Sequence, residues 1–210
     1  MGLVPYIAAG RPAPPVTIGD VYVTSGQDTE IRLTIEALID VTNALAEATD
    51  PPEAIDPPDI RTMLHGHGFS RAATAPPASI ERVEQRVAAM SDIVLGLPRA
   101  ELAPTVTWIN TALSDIPISP SVTDHDGADL HLHWTPASAT FDDQVIADFL
   151  MAVAQEICDH GTTRFGHCAA TDCERLFYDA TRNGSRRFCN DQRCASRTHT
   201  ADHRRRQRAN

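Results

Sequence analysis

Apolar residues recur at steps of three and four along much of the chain, a spacing typical of helices with one buried face. The first long stripe spans residues 31–45 and the second spans 80–97, for which Ser79 is the expected N-cap. Between them, Asp56 followed by Pro57 predicts the start of a short helix that ends at Gly66. A fourth stripe consists of Leu102, Val106, Ile109 and Leu113. The first half of the chain is therefore expected to be helical.

The period of the pattern changes to two near residue 130. Leu130, Leu132 and Trp134 alternate with polar residues after an Asp126-Gly127 turn signal, which predicts a β-hairpin within residues 118–134. A fifth helix is then expected from Thr140, because Asp143 three residues later completes a capping box, and its apolar stripe continues to Ile157.

These elements predict a mainly α fold in three parts. Residues 1–27, rich in Pro and Gly, are expected to form an irregular arm with one short strand at Val21–Val23. Residues 28–160 form the helical body with its small hairpin. Residues 164–210 form a small C-terminal unit with a basic terminal helix.

Charge separates the body from the tail. The 210 residues carry 28 acidic and 18 basic side chains, for a net charge of −10. Residues 1–159 account for −16 and residues 160–210 for +6. All basic residues are Arg, so the nucleotide composition of the genome contributes to their number. The position of each Arg on a helix face is therefore more informative than the count. No run of 18 apolar residues exists and the opening segment lacks a basic leader region, so we expect a cytoplasmic protein with no membrane partner.

The tail contains two cysteine pairs of equal spacing. Cys168 and Cys173 form one pair, and Cys189 and Cys194 form the other. Two such pairs suit a closed tetrahedral Zn²⁺ site, since soft thiolates prefer Zn²⁺ and four of them leave no open position. His199 and His203 together with one Cys pair are the alternative ligand set, His167 is a less favoured substitute, and Cys158 is expected to pack in the core.

The order of residues in the tail resembles that of the CGNR zinc-finger family. That order comprises Cys168, Cys173, Leu176-Phe177, Asp179, Arg182, Arg186-Arg187-Phe188-Cys189 and Cys194. The name-giving motif departs from the family, because Cys194-Ala195-Ser196-Arg197 keeps Cys and Arg but replaces Gly and Asn. The resemblance implies a treble-type zinc finger that binds DNA.

Family members usually carry an N-terminal helical ABATE domain, associated with stress-induced transcription regulation. Residues 39–43 resemble its Leu-Asp-Phe-x-Asn stretch. The resemblance implies that the body is a sensor or dimerisation domain.

No Gly or Pro interrupts residues 190–208, which predicts a helix with Arg on one face. Guanidinium groups bind phosphate or guanine edges with two parallel hydrogen bonds. The expected nucleic-acid contacts are Arg186, Arg187, Arg193, Arg197, Arg204, Arg205, Arg206 and Arg208.

Together these features predict a bacterial transcription regulator that depends on Zn²⁺ and binds double-stranded DNA. A homodimer and a small-molecule effector of the body are further expected partners. The alternatives are a zinc-stabilised protein-interaction adaptor and an RNA-binding module. No phosphate loop, nucleophile elbow or open metal site is found in the sequence, so we do not expect an enzyme.

Overall fold

Three long helices build the core of the body, because their apolar stripes face one another. The computed structural model describes residues 26–49, 59–123 and 131–208. In these ranges α1 (Gly26–Thr49), α3 (Pro77–Gly96) and α5 (Phe141–His160) pack pairwise. Their fully buried side chains include Ile35, Leu38, Val83, Val87 and Phe149. Residues 1–25 of the predicted arm, with the strand at Val21–Val23, lie outside the described residues, whereas Gly26 and Gln27 already belong to α1.

Two predicted helix starts are wrong. Helix α2 (Ile60–Gly66) begins after Asp59, whose carboxylate accepts a hydrogen bond from the backbone N–H of Thr62 at 3.2 Å, so Asp59 rather than Asp56 is the cap. Helix α3 begins at Pro77, where the fixed φ of proline suits the first helical position. Ser79 is instead buried, and its hydroxyl accepts a hydrogen bond from Arg82.

Helix α4 (Leu102–Ser114) is present, but its inward face differs from the predicted stripe. Ile109 is buried and Leu113 is half-buried, whereas Leu102 and Val106 are exposed. Thr105 is buried in their place, with its hydroxyl bonded to the backbone carbonyl of Glu101. The helix packs mainly on α5, so only a narrow strip of its surface is covered.

The predicted hairpin is confirmed. Strand β1 (Ser121–Thr123) pairs antiparallel with β2 (His131–His133), with Val122 opposite Leu132. The intervening turn lies outside the described residues. Thr140 is the N-cap of α5 as predicted, because its hydroxyl accepts from the backbone N–H of Asp143; the Asp143 carboxylate bonds the Thr140 hydroxyl rather than the backbone N–H that a capping box uses.

The C-terminal unit starts with a second strand pair that enters the body. Strand β3 (Phe165–His167) pairs antiparallel with β4 (Leu176–Tyr178). Phe165, Leu176 and Tyr178 belong to the same buried cluster as the helices of the body, and β4 lies against α1. The chain then forms a loop and ends in α6 (Gln192–Arg208). The strand pair therefore packs in the core of the body, whereas the finger has a second, separate buried cluster of Cys168, Ala170, Phe177, Cys189 and Cys194.

No helix in the described ranges has the length and apolarity needed to span a bilayer.

Candidate metal centre and basic helix

Four cysteines converge at the base of the C-terminal unit. Cys168 follows β3, Cys173 lies in the turn before β4, Cys189 precedes α6, and Cys194 lies in the first turn of that helix. Their sulfur atoms all lie within 4.8 Å of one another, and none forms a disulfide. Cys168, Cys189 and Cys194 are buried and Cys173 is half-buried. The arrangement brings together the four ligands predicted from the sequence.

The spacing of the sulfur atoms fits a tetrahedral zinc ion. A Zn–S bond of about 2.3 Å in a regular tetrahedron places the sulfurs about 3.8 Å apart. The Sγ atom of Cys189 lies 3.8 Å from that of Cys173 and 3.8 Å from that of Cys194. Four thiolates complete the coordination and leave no position for substrate, so zinc would hold the fold here rather than perform chemistry. Four thiolates at this spacing are positioned to hold one metal ion and fit zinc as the cofactor.

Backbone and side-chain donors surround the sulfur atoms. Burial, together with hydrogen bonds from the neighbouring thiols, raises the pKa of Cys173 to about 12. Burial also raises the pKa of Cys168, but backbone N–H donors from Cys189 and Ala170 outweigh it and bring the pKa below its usual value. Such N–H···S bonds stabilise thiolates, the form in which cysteine binds zinc.

Arg197 connects the metal centre to the first cysteine turn. Its Nη2 atom lies 3.6 Å from Cys194 Sγ and 3.3 Å from a carboxylate oxygen of Asp172. The guanidinium thus offsets thiolate charge and links α6 to the residue before Cys173. Arg197 was predicted to contact nucleic acid, and the structure adds this second contact to its side chain.

An Asp–Arg pair shapes the loop that delivers Cys189. Asp179 is buried, and its carboxylate accepts from the backbone N–H of Thr181 at 2.8 Å and of Arg186 at 2.7 Å. Arg186 in turn donates to the backbone carbonyls of Phe188 and Tyr178, at 2.7 and 3.1 Å. The donors of Arg186 are therefore directed into the finger, although its position in the sequence suggested a contact with nucleic acid.

Gly166 allows the two strands to pack tightly. A Cβ atom at Gly166 would lie 2.7 Å from the ring of Phe177, its partner across the strand pair. The Arg186 guanidinium covers the same ring, 5.1 Å from its centroid. Gly166, the Phe177 ring and the Arg186 guanidinium are thus packed closely together beside the metal centre.

Helix α1 completes the open edge of β4. In an antiparallel pair, alternate residues direct both backbone groups away from the partner strand, and Leu176 is one of them. The Asn43 amide donates to the Leu176 carbonyl, and the Leu176 N–H donates to Asn43 Oδ1, both at 2.9 Å. Asn43 and Leu176 are both buried, so a side chain takes the place of a third strand.

Two further side-chain pairs attach the finger to the body. Arg175 forms two hydrogen bonds with the carboxylate of Glu47, which raise the pKa of the guanidinium. The Tyr178 hydroxyl donates to buried Glu156 at 2.9 Å, and burial together with this bond raises the pKa of Tyr178. The strands that flank Cys168 and Cys173 are thus fixed to α1 and α5 by polar as well as apolar contacts.

Helix α6 presents most of the predicted Arg residues to solvent. Cys194 is buried and Thr198 and Asp202 are half-buried, so they mark the packed side of the helix. At 3.6 residues per turn, the line of arginines is centred about 110° away from that side. The exposed arginines of the helix are Arg193, Arg197, Arg204, Arg205, Arg206 and Arg208.

The exposed arginines differ in their local partners. Arg193 bonds Asp191 and lowers the pKa of that carboxyl to about 2, and Arg205 bonds Asp202 at 2.6 Å. Arg204 and Arg208 have no carboxylate partner within the described ranges. Arg187 is exposed, with its guanidinium 5.7 Å from the ring centroid of Phe188.

The histidines considered as ligands have other contacts. The His199 ring packs edge-on against Phe188 at 5.7 Å, and His167 Nδ1 lies 3.1 Å from the carbonyl of Glu174. His203 is exposed on α6. The four-cysteine set is therefore supported over the sets containing histidine.

One cysteine prediction is wrong. Cys158, expected in the core, is exposed, because it follows Ile157 on the outer side of α5.

Sequence reasoning missed the residues that join finger to body. Asn43 was noted only within a resemblance, and Glu47 and Glu156 were not singled out. Asn43 and Leu176 are 133 positions apart, so no local pattern could reveal their pairing. The burial of Asn43 on α1 is visible only in the structure.

The comparisons with known proteins agree with this geometry. The sequence model of the CGNR zinc finger matches residues 164–207, which include all four cysteines. The search of curated proteins found no match for the chain. Residues 164–207 are therefore a zinc-finger region of the CGNR type, with four cysteines positioned to hold one metal ion.

Proposed function

We propose that the protein is a DNA-binding transcription regulator whose zinc-ordered finger presents α6 to double-stranded DNA. The observation that carries this proposal is the line of exposed arginines on α6, centred about 110° around the helix axis from its packed side. Arg193, Arg197, Arg204 and Arg208 lie on this line, within about 60° of one another around the helix axis.

The dimensions of α6 support insertion into a major groove. A helix with its side chains is about 10–12 Å wide, and the major groove of B-DNA is about 12 Å wide. All residues from His203 to Arg208 are exposed, so the second half of the helix is open to a partner. The distance from Arg193 to Arg208 is about 22 Å along the axis, enough to contact several phosphates.

The distribution of charge along the chain supports contact with DNA through the finger alone. The body carries −16 and repels the phosphate backbone, whereas the tail carries +6. We propose that DNA lies against α6 and away from the acidic body. The body itself would provide dimerisation or bind a small effector, and we assign it a binding rather than a catalytic role.

The two rival functions are a protein-interaction adaptor and an RNA-binding module. Structural zinc sites serve all three purposes, and the exposed Arg face also suits an acidic protein surface. Few aromatic side chains are exposed on α6 to stack with unpaired bases, which favours duplex DNA over single-stranded RNA.

Fluorescence anisotropy with a labelled random-sequence duplex tests the proposal. If the zinc-loaded chain neutralises about five phosphates, log affinity falls with log salt at a slope of about −4 to −5. Replacing both Arg204 and Arg208 by Ala should reduce that slope by about 2. The control, Arg99→Ala, removes an exposed Arg of the body and should leave the slope unchanged.

Three outcomes would overturn the proposal. The first is no binding of duplex at low salt by the zinc-loaded protein. The second is preference for a single-stranded RNA competitor, which would indicate an RNA-binding module. The third is purification with a stoichiometric protein partner and no affinity for nucleic acid, which would indicate an adaptor.

A further inference from the structure

The arginines of α6 are held in two different ways. Arg193 is fixed by an adjacent carboxylate, whereas Arg204 has no such partner in the ranges that the structure describes. A fixed and a free guanidinium suit different acceptors on DNA, so the difference bears on which residue gives specificity.

Asp191 caps α6 and orients Arg193 at the same time. Its backbone carbonyl accepts from the N–H of Cys194 at 3.0 Å, and its Oδ1 accepts from the N–H of Arg193 at 2.9 Å. The same carboxylate accepts from Arg193 Nε at 3.0 Å and from Nη2 at 2.7 Å. Because Cys194, one of the four cysteines of the candidate metal centre, lies in this turn, a bound metal ion would anchor the cap and the guanidinium together.

The bond to Asp191 occupies one edge of the guanidinium and leaves another available. Asp191 takes the edge formed by Nε and Nη2. The edge formed by Nη1 and the second hydrogen of Nη2 remains, on a side chain that is 78% exposed. That edge offers two parallel N–H donors, which is the pattern that the O6 and N7 acceptors of guanine require.

Charge and entropy favour a base over a phosphate at this position. Asp191 and Arg193 together are neutral, so a phosphate beside them is repelled by one partner while it is attracted by the other. A guanine edge carries no net charge and needs orientation more than charge. A side chain that is already fixed also loses little rotamer freedom on binding.

We propose that Arg193 contacts a guanine base in the major groove, with Asp191 as its positioning residue, and that Arg204 and Arg208 contact phosphates. This inference rests on the proposed binding of duplex DNA. The location agrees with it, because residues in the N-terminal part of a recognition helix are those that reach base edges. Specificity for guanine thus originates in the turn that also holds a metal ligand.

The first experiment is a selection from a pool of randomised duplexes with the full-length zinc-loaded protein. We expect enrichment of a guanine at one fixed position. That guanine is then replaced by 7-deazaguanine, which keeps base pairing but removes the N7 acceptor. Wild-type affinity should fall about tenfold.

Four variants separate base contact from phosphate contact. The ratio of the affinity for the guanine duplex to that for the 7-deazaguanine duplex should fall below about twofold in each of three variants: Arg193→Ala, Arg193→Lys and Asp191→Asn. Lys keeps the charge but lacks the fork, and Asn keeps a capping oxygen but loses the second acceptor. Arg204→Ala is the matched control, which should weaken both duplexes equally and keep the wild-type ratio. Zinc content and helical circular dichroism verify that each variant is folded.

The outcomes separate this inference from the proposed function. Duplex binding with no guanine enrichment, or with no loss on 7-deazaguanine, overturns the inference and leaves DNA binding intact. Retention of the wild-type ratio by Arg193→Lys, or its loss in Arg204→Ala, also overturns it. Failure of the zinc-loaded chain to bind any duplex overturns both.

Discussion

Removing the Asn43 side chain should destabilise the protein by about 3 kcal/mol. Asn43→Ala deletes two buried hydrogen bonds of 2.9 Å and leaves the N–H and carbonyl of Leu176 without partners. Each orphaned buried group costs about 1–3 kcal/mol, and the loss of a buried amide offsets part of that cost. Leu176 is only 1% exposed, so water does not replace the lost partners.

The measurement is urea unfolding followed by circular dichroism, with the protein saturated with zinc. Thr42→Val is the matched control, because Thr42 is fully buried on the same helix and its hydroxyl has no hydrogen-bond partner among the described residues. That nearly isosteric change should leave the free energy of unfolding unchanged or raise it. A loss below about 0.5 kcal/mol for Asn43→Ala, or an equal loss for both variants, would refute the claim that Asn43 completes the edge of β4.

Three further predictions concern the metal centre, the strand pair and pH. Cys189→Ser should lower the zinc content from one ion per chain to a small fraction. The control Cys158→Ser, at an exposed site on α5, should leave the zinc content at one ion per chain. Equal zinc content in both variants would contradict the four-cysteine site. Gly166→Ala should lower the free energy of unfolding by about 1–3 kcal/mol, because its Cβ would lie 2.7 Å from the Phe177 ring. An unchanged midpoint of urea unfolding would contradict that close contact. Burial raises the pKa of Asp148 to about 7, so the folded state retains a proton that the unfolded state loses near pH 4, and stability falls as pH rises from about 4 to about 7. Asp148→Asn should therefore stabilise the protein by about 1–3 kcal/mol at pH 8 and have no effect at pH 4, and an equal effect at both pH values would contradict the sign.

Local patterns predicted the helices well because burial of one face imposes a period on the sequence. The stripes of α1, α3 and α5 all face the core. The starts of α2 and α3 were harder to place. Asp56 offers the same kind of cap as Asp59, which α2 uses, and α3 begins at Pro77 without a side-chain cap although Ser79 could supply one. On α4, contact with α5 alone left Leu102 exposed despite its helical spacing.

Cysteine spacing was sufficient to predict that the four sulfur atoms come together, because each pair is separated by only a short stretch of chain. The roles of the arginines were not predictable in the same way. Arg186 and Arg193 both lie in a basic segment, yet one donates to backbone carbonyls within the finger and the other bonds Asp191 at the surface. Their difference depends on loop geometry, which net charge does not describe.

Joining of finger and body was the least predictable feature. The sequence suggested a boundary near residue 160, where charge changes sign. Charge is a property of the surface, however, and the core continues across that point through Phe165, Leu176 and Tyr178. Strands β3 and β4 thus pack in the core of the body, while the exposed arginines of the described tail lie on α6 and on the loop before it, at Arg182 and Arg187.

The central claim is that zinc orders the finger so that α6 can bind DNA. The direct measurement is the affinity for a labelled duplex at low salt of one preparation of the full chain, tested with zinc bound, after removal by a chelator, and after zinc is restored. We predict tight binding with zinc, a loss of at least about tenfold without it, and recovery on reloading. Equal affinity in all three states would contradict the claim.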